Sequence, residues 1–299
     1  MLQKEDQYIR HFLDLLIYEK QYSSNTLKAY QTDIESFVQF SIYHSFSWIE
    51  ASPCHISSWL EFLSKSKLSP KSIARKLSSL RSLFIFLIKS DRIDKNPFIL
   101  FSSPKLKKTI PTTLSQTEIF EIFYNMPTQN ILERRNKAML ILMYATGIRS
   151  EELCSLQCSD VKLSNNTIRV LGKGKKERIV PLIPKASEII ESWLDDRKIL
   201  NQNLSSCLFL SKNGYELTTA MIRKIVQNFS SMIPSTIAKN FHPHAFRYTF
   251  ATHLLENQAN LRHIQELLGH ASLSVTQNYT TISITNLQKK FKQFHPRAK

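Results

Sequence analysis

A chain of 299 residues is long enough for one or two domains with a sizeable core. Its 40 Lys and Arg against 24 Asp and Glu give a formal net charge of +16, which points to a polyanionic partner; nucleic acid stands ahead of an anionic membrane because the basic residues are scattered along the chain. No stretch approaches the ~18 apolar residues of a membrane span, MLQKEDQYIR lacks the apolar core of a signal peptide, and Cys54, Cys154, Cys158 and Cys207 form no CxxC pair, so a reduced cytoplasmic setting is expected.

The first part reads as four helices. Ile9, Phe12, Leu13, Leu16 and Ile17 form one apolar stripe at helical spacing, and Leu27, Tyr30, Ile34, Phe37 and Val38 form a second after the polar start at Ser23. Ser52-Pro53 and Ser69-Pro70 each set an N-cap before a Pro, where helices three and four should open. The fourth turns Ile73, Leu77, Leu80, Phe84 and Leu87 inward and leaves Lys71, Arg75, Lys76 and Arg81 outward. That basic row is either a solvated face or one that meets DNA; the charge balance of the chain favours DNA. From Asp94 the periodicity lapses into DKNPFILFSSPKLKKTIPTT, with three prolines and Lys105, Lys107 and Lys108. This reads as a basic interdomain linker over residues 94–113, between domains at 1–93 and 114–299.

The second domain opens on the capping box Ser115-Gln116-Thr117-Glu118. A helix over residues 132–146 should stop at Gly147, which puts Arg149 at a corner beside a helix amino terminus, where anions are favoured. The residues alone leave Arg149 open between an anion ligand and a surface partner of Glu152. Residues 167–171 and 177–182 alternate as two strands of a β-hairpin whose tip, Gly172-Lys173-Gly174-Lys175-Lys176, is basic and free to approach a phosphate backbone, though no P-loop frame surrounds it. A helix over 185–200, a short strand over 207–210, a turn at Gly214 and a helix from Thr218 follow. Cys154 and Cys158, four apart on an expected helix, read as core or surface thiols. The fold class is mainly α with a small β element in the second domain.

The densest chemistry lies from His242 to Tyr279. His244 and Arg247 are three apart and share a helix face; a second helix over 260–268 ends at Gly269 and sets His270 just beyond it; Tyr279 follows nine positions later. This His-x-x-Arg, Leu-Gly-His and Tyr pattern, in PHAFRYTFATHLL and LLGHASLSVTQNYT, resembles the signature of the tyrosine recombinases. The likeness is strongest to the XerC/XerD type, with HPHAFR, QELLGH and HPRAK favouring XerC. Phe246, Tyr248 and Thr281 depart from the commonest wording of that pattern, which has Leu, His and His there.

The resemblance implies a two-domain clamp, with a helical core-binding domain ahead of a catalytic one. It implies catalytic roles for Arg149, Lys173, His244, Arg247, His270 and Tyr279, with Glu152 in support and Lys175 or Lys176 as alternatives to Lys173. Arg75, Arg81, Lys105 and Lys107 are the candidate DNA contacts. Two guanidiniums suit the non-bridging oxygens of a phosphodiester because each presents a bidentate fork and neither loses its proton. Tyr279 would attack, His244 would take its proton, His270 would donate a hydrogen bond, and Lys173 would protonate the leaving 5′ oxygen. Such chemistry needs no metal or nucleotide cofactor. The partners implied are double-stranded DNA at a specific site, a tetramer formed with a related recombinase and a septal DNA translocase, in chromosome dimer resolution at division, with no membrane. A phage- or plasmid-type integrase and a catalytically silent DNA-binding regulator are the alternatives. A type IB topoisomerase shares the chemistry but not the end-to-end likeness, and a metallonuclease built on His242, His244, His253, His263 and His270 lacks a carboxylate or Cys at zinc-like spacing. The tail over 280–299 carries Ile284, Leu287, Phe291 and Phe294 on one edge, suited to its own domain or to a neighbouring protomer.

Overall fold

The computed structural model describes residues 2–20, 22–105, 113–172, 176–233, 238 and 241–269. The chain divides into two compact units, Met1–Thr109 and Ile110–Lys299. Among the described residues no helix is long and apolar enough to cross a membrane.

The first unit holds four helices, α1 (Leu2–Tyr18), α2 (Ser24–Tyr43), α3 (Pro53–Lys65) and α4 (Pro70–Lys89). Ser23, Ser52 and Ser69 each accept a hydrogen bond from the backbone N–H three residues on, which caps α2, α3 and α4 where the sequence places their starts. In α1 the Phe12–Leu16 row is buried while the row Ile9, Leu13, Ile17 flanks it, and Ile17 ends 41% exposed. The stripe is therefore narrower than the spacing alone suggests.

Two expectations change here. Residues from Asp94 do not begin as a linker: Pro97–Leu100 form a 3-10 turn, and Phe98, fully buried, stacks edge-on against Phe37 at 5.3 Å and Phe84 at 4.9 Å. An aromatic ring with that much apolar area is held by the core it fills, whatever the prolines on either side. Lys76 is not an outward cation either. It is 7% exposed and lies 3.5 Å from Oδ1 of the fully buried Asp33, whose Oδ2 accepts from Ser79 Oγ at 2.9 Å and from Arg75. A buried carboxylate demands such partners, and α4 supplies all three.

The second unit is organised on α6 (Ile131–Thr146), whose residues 138–146 are buried on every face, as expected of a helix at the centre of a domain. Around it lie α5 (Gln116–Asn125), α7 (Ser150–Ser155), α8 (Pro184–Leu200), α9 (Thr219–Ser230), α10 (Pro243–Glu256) and α11 (Leu261–Leu268). The expected hairpin is the larger part of an antiparallel sheet in the order β1 (Val161–Lys162), β2 (Thr167–Leu171), β3 (Glu177–Pro181). Val170 pairs with Arg178, and Leu171 with Glu177. Cys154 lies on α7, whereas Cys158 opens a separate 3-10 turn, so the two do not share a helix.

Residues 207–210 form no strand. Their carbonyls are taken by side chains: Arg197 Nε donates to Cys207 O at 2.8 Å, Trp193 Nε1 to Leu208 O at 2.9 Å and Arg135 to Leu210 O at 2.7 Å. Only single bridges, Gln157 to Cys207 and Leu210 to Glu216, remain of a ladder.

α6 stops at Gly147, whose φ of +60° is one that side chains with a Cβ rarely adopt. A Cβ there would also meet Leu268 Cδ2 and Phe250 Cδ1 at 2.7 Å. Gly147→Ala should therefore cost about 2–4 kcal/mol, the sum of left-handed strain and overpacking. Chemical denaturation that finds the variant within about 0.5 kcal/mol of the parent, the scatter of neutral surface substitutions, would refute this.

Candidate active site

Three helix ends converge at one place in the second unit. The turn at Gly147 delivers Arg149 to the amino terminus of α7, where it is the N-cap, and its backbone N–H donates to Glu152 Oε2 at 2.9 Å. Its guanidinium donates to Glu152 Oε1 at 2.9 Å. From β3, Arg178 donates to the same two oxygens, Nη1 to Oε1 at 2.9 Å and Nη2 to Oε2 at 2.7 Å. Glu152 thus accepts four hydrogen bonds while only 6% exposed. Burial pushes its pKa up, but Arg178 and then Arg149 outweigh that and bring it to about 2.

The third end is the carboxyl terminus of α11. Gly269 closes it at a φ of +63°, and its exposed carbonyls are met by guanidiniums: Leu267 O accepts from Arg178 Nε at 3.0 Å, and Leu268 O from Arg247 Nη2 at 2.5 Å and, more distantly, from Arg149 at 3.5 Å. Cations at this end complement the helix dipole. Arg247, 7% exposed on α10, also donates to Gly147 O at 2.7 Å. It ties the end of α6 to the end of α11.

The charge does not balance. Arg149, Arg178 and Arg247 bear on one carboxylate, Glu152. Burial, with repulsion from Arg149 and Arg178, lowers the pKa of Arg247 to about 9. It stays charged at neutral pH, in a setting that an incoming anion would relieve. His244, three residues before Arg247 and exposed, has its pKa lowered by desolvation and then by His242, Arg247 and Arg149, with Glu151 opposing. A neutral imidazole beside two guanidiniums is able to accept a proton.

Sequence reasoning singled out Arg149, Glu152, His244 and Arg247, and the structure brings them together. Lys173, His270 and Tyr279 lie outside the described residues, as does Lys107. Lys105 is exposed. Arg75, 46% exposed, bonds to Asp33 and to Ala29 O, and Arg81 donates to Phe98 O, Phe101 O and Ser103 Oγ, so both are anchored within the first unit. His253 is a core residue: Leu114 O can only accept, so Nε2 carries the proton at 2.8 Å and Nδ1 accepts from Tyr144 Oη at 2.9 Å. Among the described residues no group of three or more His, Cys, Asp or Glu is placed to hold a metal ion. Arg178 was missed. Its signal was a charged residue at an inward position of a strand, two before the buried Val180.

A cation-rich corner that offers guanidinium forks and a neutral imidazole, on a mostly helical scaffold with a small sheet, is chemically suited to an anionic phosphodiester. Residues 112–285 match the Phage integrase family and residues 9–91 match the phage integrase N-terminal SAM-like domain. The chain belongs to this family, the tyrosine recombinases, which cleave and rejoin DNA. It is 39% identical over 293 residues to tyrosine recombinase XerC of Bacillus pumilus, covering 96% of this chain and 95% of that one. It is 38% identical over 298 residues to tyrosine recombinase XerD of Listeria innocua, covering 97% and 99%. One percentage point does not separate the two subtypes. A crystal structure of the XerH site-specific recombinase bound to its difH substrate before cleavage is similar too, with a TM-score of 0.66 and 25% identity over 87% of this chain and 78% of that one.

If His244 takes the proton of the nucleophile, it must be neutral, and a lowered pKa keeps it neutral further into acid. The acid limb of the single-turnover cleavage rate should lie below the ordinary histidine value of 6.5 and move upward in His242→Ala, which removes one repelling neighbour. A limb at or above 6.5, or one unmoved by that substitution, would exclude the role.

Proposed function

We propose that this chain is a site-specific recombinase of the Xer type that cuts and rejoins two DNA duplexes through a covalent 3′-phosphotyrosyl intermediate, in the resolution of chromosome dimers at division. The observation that carries the reading is the arginine pair Arg149 and Arg247, held in a corner with more positive than negative charge, in a chain similar along nearly its whole length to XerC and XerD.

In this reading the scissile phosphate sits against the two guanidiniums, which counter the charge gathering on its non-bridging oxygens; each such donor is worth roughly 10²–10³ in rate. Tyr279 forms the O–P bond as the bond to the 5′ oxygen breaks. Its phenol has a pKa of about 10, so about one in a thousand is ionised at neutral pH, and His244 takes the proton. Lys173 gives a proton to the 5′ oxygen and His270 hydrogen-bonds the phosphate. A 5′ hydroxyl from the partner duplex then reverses the steps, and because the phosphotyrosyl link conserves the bond energy, neither metal nor nucleotide is required. The helical first unit binds the core of the site, the basic run from Lys105 follows the backbone, and four protomers, two of them a related recombinase, assemble under control of a septal DNA translocase. The tail over 280–299 docks on a neighbouring protomer.

On a nicked suicide substrate the parent chain should trap as a covalent adduct at a 3′ phosphate. Tyr279→Phe should bind equally well and give none, as read on a denaturing gel; an adduct that persists assigns the nucleophile elsewhere.

Binding should be dominated by phosphate contacts, so log affinity should fall with log salt at about −0.9 per neutralised phosphate. A flat response in a fluorescence anisotropy titration would mean that the +16 net charge serves another purpose.

A further inference from the structure

We infer that Arg178 is a positioning residue of this active site, holding the Arg149–Glu152 pair and the end of α11 in the arrangement that receives the phosphate. The inference rests on the function proposed above and adds a member to its machinery.

Its geometry is specific. Arg178 is 9% exposed, and its three nitrogens are directed to two different elements: Nη1 and Nη2 to the two oxygens of Glu152, and Nε to Leu267 O. The fork fixes the plane of the Glu152 carboxylate, because two parallel N–H···O bonds leave it no freedom to rotate. Each oxygen then has one further direction to accept from, and Arg149 fills both, through its backbone N–H and its Nη1. Arg149 is thus aimed by a carboxylate that Arg178 has oriented. The third nitrogen sets the height of α11 against β3, and the side-chain stem closes the contact, since a Cβ on Gly269 would come within 3.1 Å of Arg178 Cδ. Arg178 sits on the last rungs of the hairpin, opposite Val170 and next to the Leu171–Glu177 pair. Any shift of the hairpin along its axis displaces the fork.

A lysine keeps the charge but has one nitrogen and no plane, so it serves Glu152 or Leu267 O and aligns neither. Arg178→Lys separates alignment from charge. The test is single-turnover cleavage of a suicide substrate carrying either an ordinary phosphate or a methylphosphonate at the scissile position. The methyl group removes the non-bridging charge that Arg149 is aimed at. Arg149→Ala serves as the reference.

On the phosphate, Arg178→Lys should cleave roughly 10–100-fold more slowly than the parent, with affinity for DNA within about twofold; this is less than or equal to the loss of one oriented donor. On the methylphosphonate the gap should shrink to within about threefold, as for Arg149→Ala, because alignment to a charge no longer matters. A gap of equal size on both substrates, a loss that follows melting temperature or DNA affinity, or parental cleavage on the phosphate would each overturn the role. Should Arg178→Lys fail to fold, Arg178→Gln gives up the fork while keeping an amide donor at that position and leaving Glu152 paired with Arg149. It is judged by the same ratio between substrates. If the parent chain itself forms no adduct on either substrate, the proposed function falls and this inference with it, a result distinct from a defect confined to the variants.

Discussion

One carboxylate holds the candidate active site of this chain together. Glu152 is buried and accepts four hydrogen bonds, two from Arg178 and two from Arg149. Without it the second unit would bring three guanidiniums into one corner without the carboxylate that Arg149 and Arg178 both bond. Removing one partner of a buried pair commonly costs about 3–5 kcal/mol, because the other charge is left unpaired. With Glu152 in place the corner still carries an excess of positive charge, and that excess is what makes it a site. A corner fully neutralised from within would have no reason to take a phosphate.

The rest of the second unit can be understood as the means of bringing three helix ends to this carboxylate. Residues 138–146 of α6 are buried on every face and cannot rotate or slide without breaking the core, so the helix end at Gly147 is a fixed point. α7 starts at Ser150, three residues beyond Gly147, and Arg247 reaches back from α10 to the Gly147 carbonyl. The start of the unit is stitched to the same helix: Leu114 N donates to Thr249 Oγ1 at 3.3 Å and Leu114 O accepts from His253. α10 therefore carries His244 and Arg247 on one side and receives the incoming chain further along.

Much of this was legible in the sequence because it depends on local chemistry. Helix starts at Ser52, Ser69 and Ser115 are capping signals, and the stop at Gly147 is a steric one; both act within a few residues. Arg149, His244 and Arg247 stood out through motif spacing. What escaped depends on tertiary partners. Phe98 lies in a stretch whose prolines suggest a linker, yet the aromatic core claims it. Lys76 sits where α4 should face solvent, yet Asp33, 43 positions earlier, draws it in. The carbonyls of residues 207–210 are captured by Arg197, Trp193 and Arg135, which no strand propensity could foretell. Arg178 depends on tertiary partners too, being a charged residue at an inward position of β3 whose partners come from α7 and α11.

The distribution of glycine has a consequence for how the chain can vary. There are only five glycines in 299 residues, and Gly147, Gly172 and Gly269 all border the arginine cluster. Gly147 and Gly269 both have a left-handed backbone; an added methyl group would clash with Leu268 and Phe250 at Gly147 and press on the pinned Arg178 side chain at Gly269. Lineages descended from this chain can exchange apolar residues in either core by small compensating changes, one at a time. They have no such gradual route at these two positions, where the first step away from glycine is already the damaging one. Drift in the chain is thereby channelled away from the backbone of the active site, even where no side chain there touches DNA.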